Sequence, residues 1–93
     1  MKESTIEKNV SDYAKSQGWL SYKFVSPSNR GVPDRIYLKS GKCIFIEFKA
    51  PKKKPTKLQD KIIERIRNAG LSVYIIDNVD EGKNIFIKLN MNI

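Results

Sequence analysis

Two acids and a lysine near the middle of the chain have the types and spacing that could hold a metal ion: Asp34, Glu47 and Lys49. If the two acids face each other on paired strands, their Cβ atoms lie about 4.5–5.5 Å apart, close enough to share one divalent cation. Lys49 is two residues beyond Glu47, so in a strand it points to the same face. The chain has no histidine and one cysteine, which excludes zinc sites and histidine catalysis and favours Mg²⁺ or Mn²⁺ with oxygen ligands.

A β-hairpin is the element that would bring the two acids together. Two runs rich in β-branched and aromatic residues, Arg35–Leu38 and Cys43–Phe48, are separated by Ser40-Gly41, which suits a two-residue hairpin turn. Pairing Lys39 with Lys42 across that turn places the two acids directly opposite each other. Both faces of the hairpin are largely apolar in this register, so we predict a central hairpin with elements packed on each side.

Each of the three residues also has a simpler explanation when it is taken alone. Asp34 is a common type of turn residue after Pro33, and Glu47 and Lys49 would suit the exposed edge of an ordinary strand. That explanation does not account for the alignment of all three on one face. Two acids at the end of an apolar hairpin are costly unless a metal or a neighbouring charge neutralises them.

The motif in this region resembles a known nuclease signature. Gly31-Val32-Pro33-Asp34, followed after twelve residues by Glu47-Phe48-Lys49, is similar to the PD-(D/E)XK pattern. The glycine before Val-Pro-Asp and the later Gln59 resemble its VRR-NUC branch, and the likeness covers nearly the whole chain. The resemblance implies an α/β domain of restriction-endonuclease type that hydrolyses phosphodiester bonds in DNA.

The expected roles combine this resemblance with side-chain chemistry. Asp34, Glu47 and the backbone carbonyl of Phe48 are expected to bind Mg²⁺ or Mn²⁺, which lowers the pKa of bound water and neutralises charge on the phosphate. Lys49 would orient or help deprotonate that water. The resemblance implies that Gln59 touches Lys49 or the water, and we expect it to hold Lys49 in place. A simpler role for Gln59 is the third helical residue of a capping box.

The first helix carries one further candidate metal ligand. Ser4-Thr5-Ile6-Glu7 has capping-box spacing and predicts a helix from about Thr5 to Gln17, ended by Gly18. Glu7 is either the glutamate of that capping box or the first-helix acid that related nucleases carry at the metal site. Glu3 is the competing candidate, since VRR-NUC chains often have an acid three residues before an isoleucine. We favour Glu7.

The remaining patterns complete a predicted αβββαβ order with a trailing strand, in which a mixed central sheet is flanked by two helices. Ninety-three residues suit a single domain spanning 1–93. The other expected elements are a strand at Trp19–Val25, a helix that begins with a capping box at Thr56–Gln59, a buried strand at Leu71–Asp77, a turn at Asn78–Asn84 and an edge strand at Ile85–Leu89.

The charge of the chain predicts a polyanionic partner, with nucleic acid as the first candidate. Eighteen Lys and Arg against ten Asp and Glu give a formal net charge of +8. The segment that follows Lys49 carries four lysines without an acid and is expected to be a mobile loop beside the metal. Each candidate phosphate contact can instead be ordinary surface or turn chemistry; the candidates are Ser26, Arg30, Lys52, Lys53, Lys54, Lys57 and Lys61.

Apolar runs and the N-terminal sequence give expectations about the compartment. The sequence has no stretch of about 18 apolar residues and no apolar signal core after Met1. We therefore expect a soluble cytoplasmic protein with no membrane partner and no small-molecule cofactor.

Three functions are compatible with these features. The first is a metal-dependent, structure-selective DNA endonuclease; stand-alone VRR-NUC relatives resemble Holliday-junction resolvases, which implies four-way junctions as substrate and a homodimer with two active sites. The second is a non-catalytic, basic nucleic-acid-binding module, which explains the charge but not the acids in the hairpin. The third is a sequence-specific restriction enzyme, which usually needs recognition elements for which 93 residues leave little room.

Overall fold

The computed structural model describes residues 1–91, and its centre is a four-stranded mixed sheet. The strands lie side by side in the order in which they occur in the chain. The first three are antiparallel and the fourth is parallel to the third, which confirms the predicted crossover. The strands are β1 Leu20–Lys23, β2 Arg35–Lys39, β3 Lys42–Phe48 and β4 Ser72–Ile76.

Three helices cover the sheet: α1 Glu3–Ser16, α2 Lys57–Asn68 and α3 Val79–Met91. The apolar residues of α1 and α3 form one core cluster with one face of the hairpin, and α2 packs on the other face. The first cluster includes Ile6, Val10, Tyr37, Ile46, Phe48 and Phe86, and the second includes Phe45, Ile63 and Val73. The two layers leave the ends of the central strands as the place where a site can open to solvent.

The central hairpin has the predicted register. Lys39 pairs with Lys42 and Arg35 pairs with Ile46, with the intervening residues paired in step. The hairpin lies between β1 and β4, with helices on both faces, so the prediction of a buried central hairpin is confirmed. The fold class, an α/β domain with an αβββαβ core, follows from this arrangement.

The first helix begins earlier than its capping-box pattern predicts. The helix starts at Glu3 after the N-cap residue Lys2, which makes no side-chain capping hydrogen bond. The capping-box interpretation of Ser4 to Glu7 is therefore wrong. Glu7 instead lies inside the helix and is buried against the sheet, where its carboxylate meets Arg35.

The second helix has the predicted cap, whereas β1 and β4 are shorter than predicted. The Thr56 side chain accepts a hydrogen bond from the backbone N–H of Gln59, and the Gln59 side chain accepts one from the backbone N–H of Thr56. The first and fourth strands are shorter than the predicted Trp19–Val25 and Leu71–Asp77, as is usual at element ends.

The prediction for the C-terminal part is wrong, because α3 replaces both the turn and the trailing strand. Phe86 is buried and contacts the Trp19 and Tyr37 rings, with centroid distances of 5.3 and 5.0 Å. Gly82, one turn earlier, allows α1 to approach so closely that an added Cβ would overlap the Val10 side chain. Three helices rather than two therefore flank the sheet. No helix within residues 1–91 is long and apolar enough to cross a membrane.

Candidate active site

The segment before β2 places Asp34 at the open end of the hairpin. Gly31 has φ of +88°, and a Cβ there would lie 3.2 Å from Leu58, so this glycine suits both the turn and the close packing on α2. The Asp34 carbonyl accepts a hydrogen bond from the backbone N–H of Phe24 at 2.9 Å. One Asp34 carboxylate oxygen accepts from the backbone N–H of Phe48 at 2.8 Å. Asp34 is thus tied to both neighbouring strands.

Glu47 is the most buried acid of the site. Its side chain is 2% exposed, and its Oε2 accepts from Lys49 Nζ at 3.0 Å and from Gln59 Nε2 at 2.9 Å. The other oxygen, Oε1, is buried and has no hydrogen-bond partner among the residues described. A buried carboxylate oxygen without a partner is energetically unfavourable, and such an atom calls for an explanation.

Both central acids hold their protons more tightly than usual. Burial raises the pKa of Glu47 to about 7, Lys49 opposes that rise, and the negative charge of Asp34 adds to it. Burial also raises the pKa of Asp34, against the hydrogen bond from Phe48, and the charge of Glu7 raises it further. Glu47 therefore lies close enough to Asp34 to feel its repulsion, as the register predicts, and Asp34 feels the repulsion of Glu7 from α1.

These properties fit a divalent cation. Two neighbouring carboxyls that are costly to ionise, one of them with an unpaired buried oxygen, become favourable when a positive ion lies between them. No group of three or more Asp, Glu or Cys side chains within residues 1–91 is arranged to hold a metal. A cation bound by Asp34 and Glu47 would therefore complete its coordination with backbone oxygen and water, as Mg²⁺ commonly does.

Glu7 forms ion pairs with two basic side chains, Lys23 and Arg35, that sequence analysis did not include in the site. Its Oε2 lies 2.7 Å from Arg35 Nε and 2.6 Å from Lys23 Nζ. Burial acts to raise the pKa of Glu7, but Lys23 and Arg35 together lower it below its usual value. Arg35 also donates to Ser21 Oγ at 3.1 Å. The sequence does contain a signal for an ion pair at Arg35, because an arginine on an otherwise apolar strand face requires an acidic partner.

Glu3 and Glu7, one turn apart on α1, affect different acids. The charge of Glu7 raises the pKa of Asp34, whereas the charge of Glu3 contributes to the raised pKa of Glu47. Glu3 is exposed and Glu7 is buried. Both first-helix acids therefore border the site, and Glu7 is the one fixed by ion pairs.

Gln59 connects the α2 cap to the site. Its Oε1 accepts from the backbone N–H of Thr56 at 2.9 Å while its Nε2 donates to Glu47. Gln59 and Lys49 bind the same Glu47 oxygen, so Gln59 is linked to Lys49 through that carboxylate. Gln59 thus caps α2 and hydrogen-bonds Glu47 at the same time.

The predicted phosphate contacts lie around this end of the sheet. We call residues 50–56 the lysine loop; its three lysines are exposed, and its backbone is fixed to the end of β4 by a 2.9 Å hydrogen bond from Lys52 N to Asp77. Ser26 is half-buried in a turn, where its Oγ accepts from Asn29 Nδ2 at 3.4 Å. The other candidates are all exposed: Arg30, Lys57 and Lys61.

Comparisons with known proteins identify the class to which this fold and site belong. A solved structure described as a VRR_NUC domain superposes with a TM-score of 0.84 at 25% identity, over 91% of this chain and 94% of that one. A protein named "Putative nuclease p44" from Acyrthosiphon pisum secondary endosymbiont phage 1 is 43% identical over 81 residues, which cover 86% of this chain and 87% of the relative. A scan against protein-family models finds no match.

The chain belongs to the VRR-NUC family of nucleases. Its Pro33-Asp34 and Glu47-Phe48-Lys49 segments lie together at one end of the sheet, as the sequence motif predicts.

Proposed function

We propose that this protein is a metal-dependent DNA endonuclease that selects branched DNA, in particular four-way (Holliday) junctions. The observation that carries the proposal is the cluster at the end of the hairpin. Lys49 and Gln59 bind one oxygen of Glu47, the other oxygen is buried without a partner among residues 1–91, and Asp34 lies beside them. A domain that only bound nucleic acid would gain nothing from burying two acids among so many basic residues.

Mg²⁺ or Mn²⁺ is the proposed cofactor, held by Asp34, Glu47 and the backbone carbonyl of Phe48. Glu7 would join directly or through water, and the two cations that now hold it would remain its partners when it acts through water. When bound, the divalent cation supplies charge neutralisation at the attacked phosphate and makes water a better nucleophile.

The chain's own residues have distinct tasks in this reaction. Lys49 is 15% exposed, so its ammonium group can reach a water at the open end of the hairpin, orient it and offset negative charge that develops on the phosphate. Gln59 acts as a positioning residue, because its hydrogen bond fixes the Glu47 oxygen shared with Lys49. Asp34 is fixed by the backbone N–H of Phe48.

Basic residues around the site would bind the DNA backbone. The exposed Lys52, Lys53 and Lys54 closely follow the strand that carries Glu47, so a DNA strand over the site would meet them. The remaining proposed contacts are Ser26, Arg30, Lys57 and Lys61. We also propose a homodimer, since symmetrical cleavage of a four-way junction needs two active sites.

The test is cleavage of labelled duplex, flap, single-stranded and four-way-junction DNA with Mg²⁺, Mn²⁺ or EDTA. We expect activity on branched DNA that EDTA abolishes, and a drop of at least about a thousandfold in Asp34→Asn and Glu47→Gln. The matched control is Glu64→Gln, the same chemical change on the exposed face of α2, which should retain activity. Binding without cleavage under any metal would support the binding-module alternative instead. Cleavage that survives in both site variants would refute the assignment of Asp34 and Glu47 as metal ligands.

A further inference from the structure

A polar cleft lies between α1 and the edge of the sheet, on the face opposite α2. Its volume is about 330 Å³, and it takes in the ion-paired Glu7. Four basic side chains line it, two from α1 and one each from β1 and β2: Lys8, Lys15, Lys23 and Arg35. We call this the α1 cleft.

The α1 cleft has an excess of positive charge. Its acids are Glu7 and Asp12, so four cations face two anions. Glu7 is shared by two of those cations, while Asp12 is paired with Lys8 at 2.7 Å on the exposed surface. An exposed pair of this kind contributes little energy, so Lys8 can exchange Asp12 for another anion at small cost.

The cleft follows one face of the helix. Ser4, Lys8, Ser11 and Lys15 are spaced by three or four residues, so they form a row along α1. Ser4, Lys8 and Lys15 are exposed, whereas Ser11 is buried and shares a 2.8 Å hydrogen bond with the Tyr37 hydroxyl. Lys15 pairs with no acid within residues 1–91 at ion-pair distance. From Glu7 to Lys15 the helix rises by about 12 Å, which is comparable to the span of a few nucleotides of one DNA strand.

The α1 cleft and the lysine loop lie on either side of the acids. Arg35 directly follows Asp34 and points to the opposite face of β2, so the cleft begins one residue from the site. The cleft is on the β1 side of the sheet through Lys23, whereas the lysine loop is fixed on the β4 side through Asp77. The central strands and their two acids lie between these basic surfaces.

We propose that the α1 cleft binds the phosphodiester backbone of DNA that extends beyond the cut phosphate, on the side away from the lysine loop. The proposal rests on the proposed nuclease function for its choice of ligand. Lys8 and Lys15 contact phosphates directly, and Lys23 and Arg35 keep Glu7 from repelling the strand. A DNA strand held on both sides of the acids is fixed in position over them, which neither basic surface alone would achieve.

The test compares two double variants that remove the same charge. The cleft variant is Lys8→Gln with Lys15→Gln, and the control is Lys42→Gln with Lys88→Gln. Lys42 starts β3 at the end far from the acids, and Lys88 lies on α3 beside Tyr74 of the β4 edge. Affinity for duplex DNA is measured by fluorescence anisotropy at several salt concentrations in EDTA, where no cleavage occurs. Thermal melts establish that both variants are folded.

We expect the slope of log Kobs against log salt to become shallower by roughly 1.8 in the cleft variant, because each phosphate that a lysine no longer neutralises contributes about 0.9. The slope of the control variant should stay near that of wild type. Equal slopes for the two variants would overturn the proposal, as would a wild-type protein without measurable DNA affinity. The result is independent of catalysis. A protein that fails to hydrolyse DNA but shows the slope difference refutes the nuclease assignment and leaves the cleft established.

Discussion

Replacement of Glu47 by glutamine should make the metal-free protein less sensitive to pH. Burial raises the pKa of Glu47 to about 7 in the folded protein, from 4.5 for an unperturbed glutamate. The folded state therefore binds this proton more tightly than the unfolded chain. Stability is greatest below the unfolded pKa and decreases as pH rises through 4.5 towards the folded value.

The size of the effect follows from the same two values. Each tenfold difference in proton affinity corresponds to about 1.4 kcal/mol, so ionised Glu47 destabilises the metal-free fold by roughly 3 kcal/mol above pH 7. The raised pKa of Asp34 adds a change of the same sign. The lowered pKa values of Glu7 and Asp77 make the fold more stable as pH rises, but this effect is confined to more acidic pH. The chain has no histidine to complicate the range between pH 5 and 8.

Urea melts in EDTA at pH 5, 6, 7 and 8 test this prediction. Wild type should become less stable across the series. Glu47→Gln should lose most of this decrease because its side chain cannot ionise, and should keep only the part that comes from Asp34. Glu64→Gln serves as the exposed control and should follow wild type. In wild type at pH 8, Mn²⁺ at a hundred times its dissociation constant should restore about 2.7 kcal/mol. A wild type without pH dependence, or a Glu47→Gln variant that keeps the full dependence, would refute the raised pKa.

Three further predictions concern the loop, the helix pair and the α2 cap. Alanine at all three lysines of the lysine loop should make the salt dependence of duplex binding shallower by about 0.9 for each phosphate that the loop neutralises, and an unchanged slope would mean that the loop is only solvated surface. Gly82→Ala should cost about 1–3 kcal/mol in urea melts because its Cβ would overlap Val10, and an unaffected variant would contradict the close approach of α1 and α3. Thr56→Ala should lower the stability of the fold by about 1 kcal/mol and leave DNA cleavage unchanged. Gln59→Ala should impair cleavage as well as stability, because it removes the hydrogen bond to Glu47. Equal activity in both variants would exclude a positioning role for Gln59.

The hairpin could be predicted because local signals and burial agree there. The Ser40-Gly41 turn fixes the pairing of Lys39 with Lys42, and a shift by one residue would move every buried side chain to the wrong face. The same agreement holds for the Thr56 cap of α2, where the capping pattern directly precedes an apolar helical face. In both places a few neighbouring residues determine the structure without help from distant contacts.

The third helix could not be predicted for the opposite reason. Ile85, Ile87 and Leu89 alternate with other residues as a strand would, and Ile87 is 43% exposed in the helix. What selects the helix is the burial of Phe86 against aromatic rings from other parts of the chain, together with the close approach at Gly82. Those contacts exist only after the sheet and α1 have formed, so short-range periodicity is misleading here.

The geometry of the site depends partly on local sequence patterns and partly on packing between distant parts of the chain. The relative positions of Asp34, Glu47 and Lys49 follow from strand register, and the hairpin has the register that the sequence predicts. The partners of Glu7 do not follow from local pattern, because capping-box spacing offers a sufficient but false explanation for that glutamate. Arg35 lies on a hairpin face that is otherwise apolar, and only the packing of α1 on that face brings the two charges together.

The two ends of the Gln59 amide make helix formation and site geometry dependent on each other. Its oxygen caps α2 through the backbone of Thr56, and its nitrogen holds the Glu47 oxygen that Lys49 also binds. Asparagine is one methylene shorter and could not span both contacts, whereas glutamate would match the length but add a third negative charge beside two acids that already repel each other. Only an uncharged donor and acceptor of this length satisfies the cap and the site together. This explains physically why a glutamine lies at the start of α2.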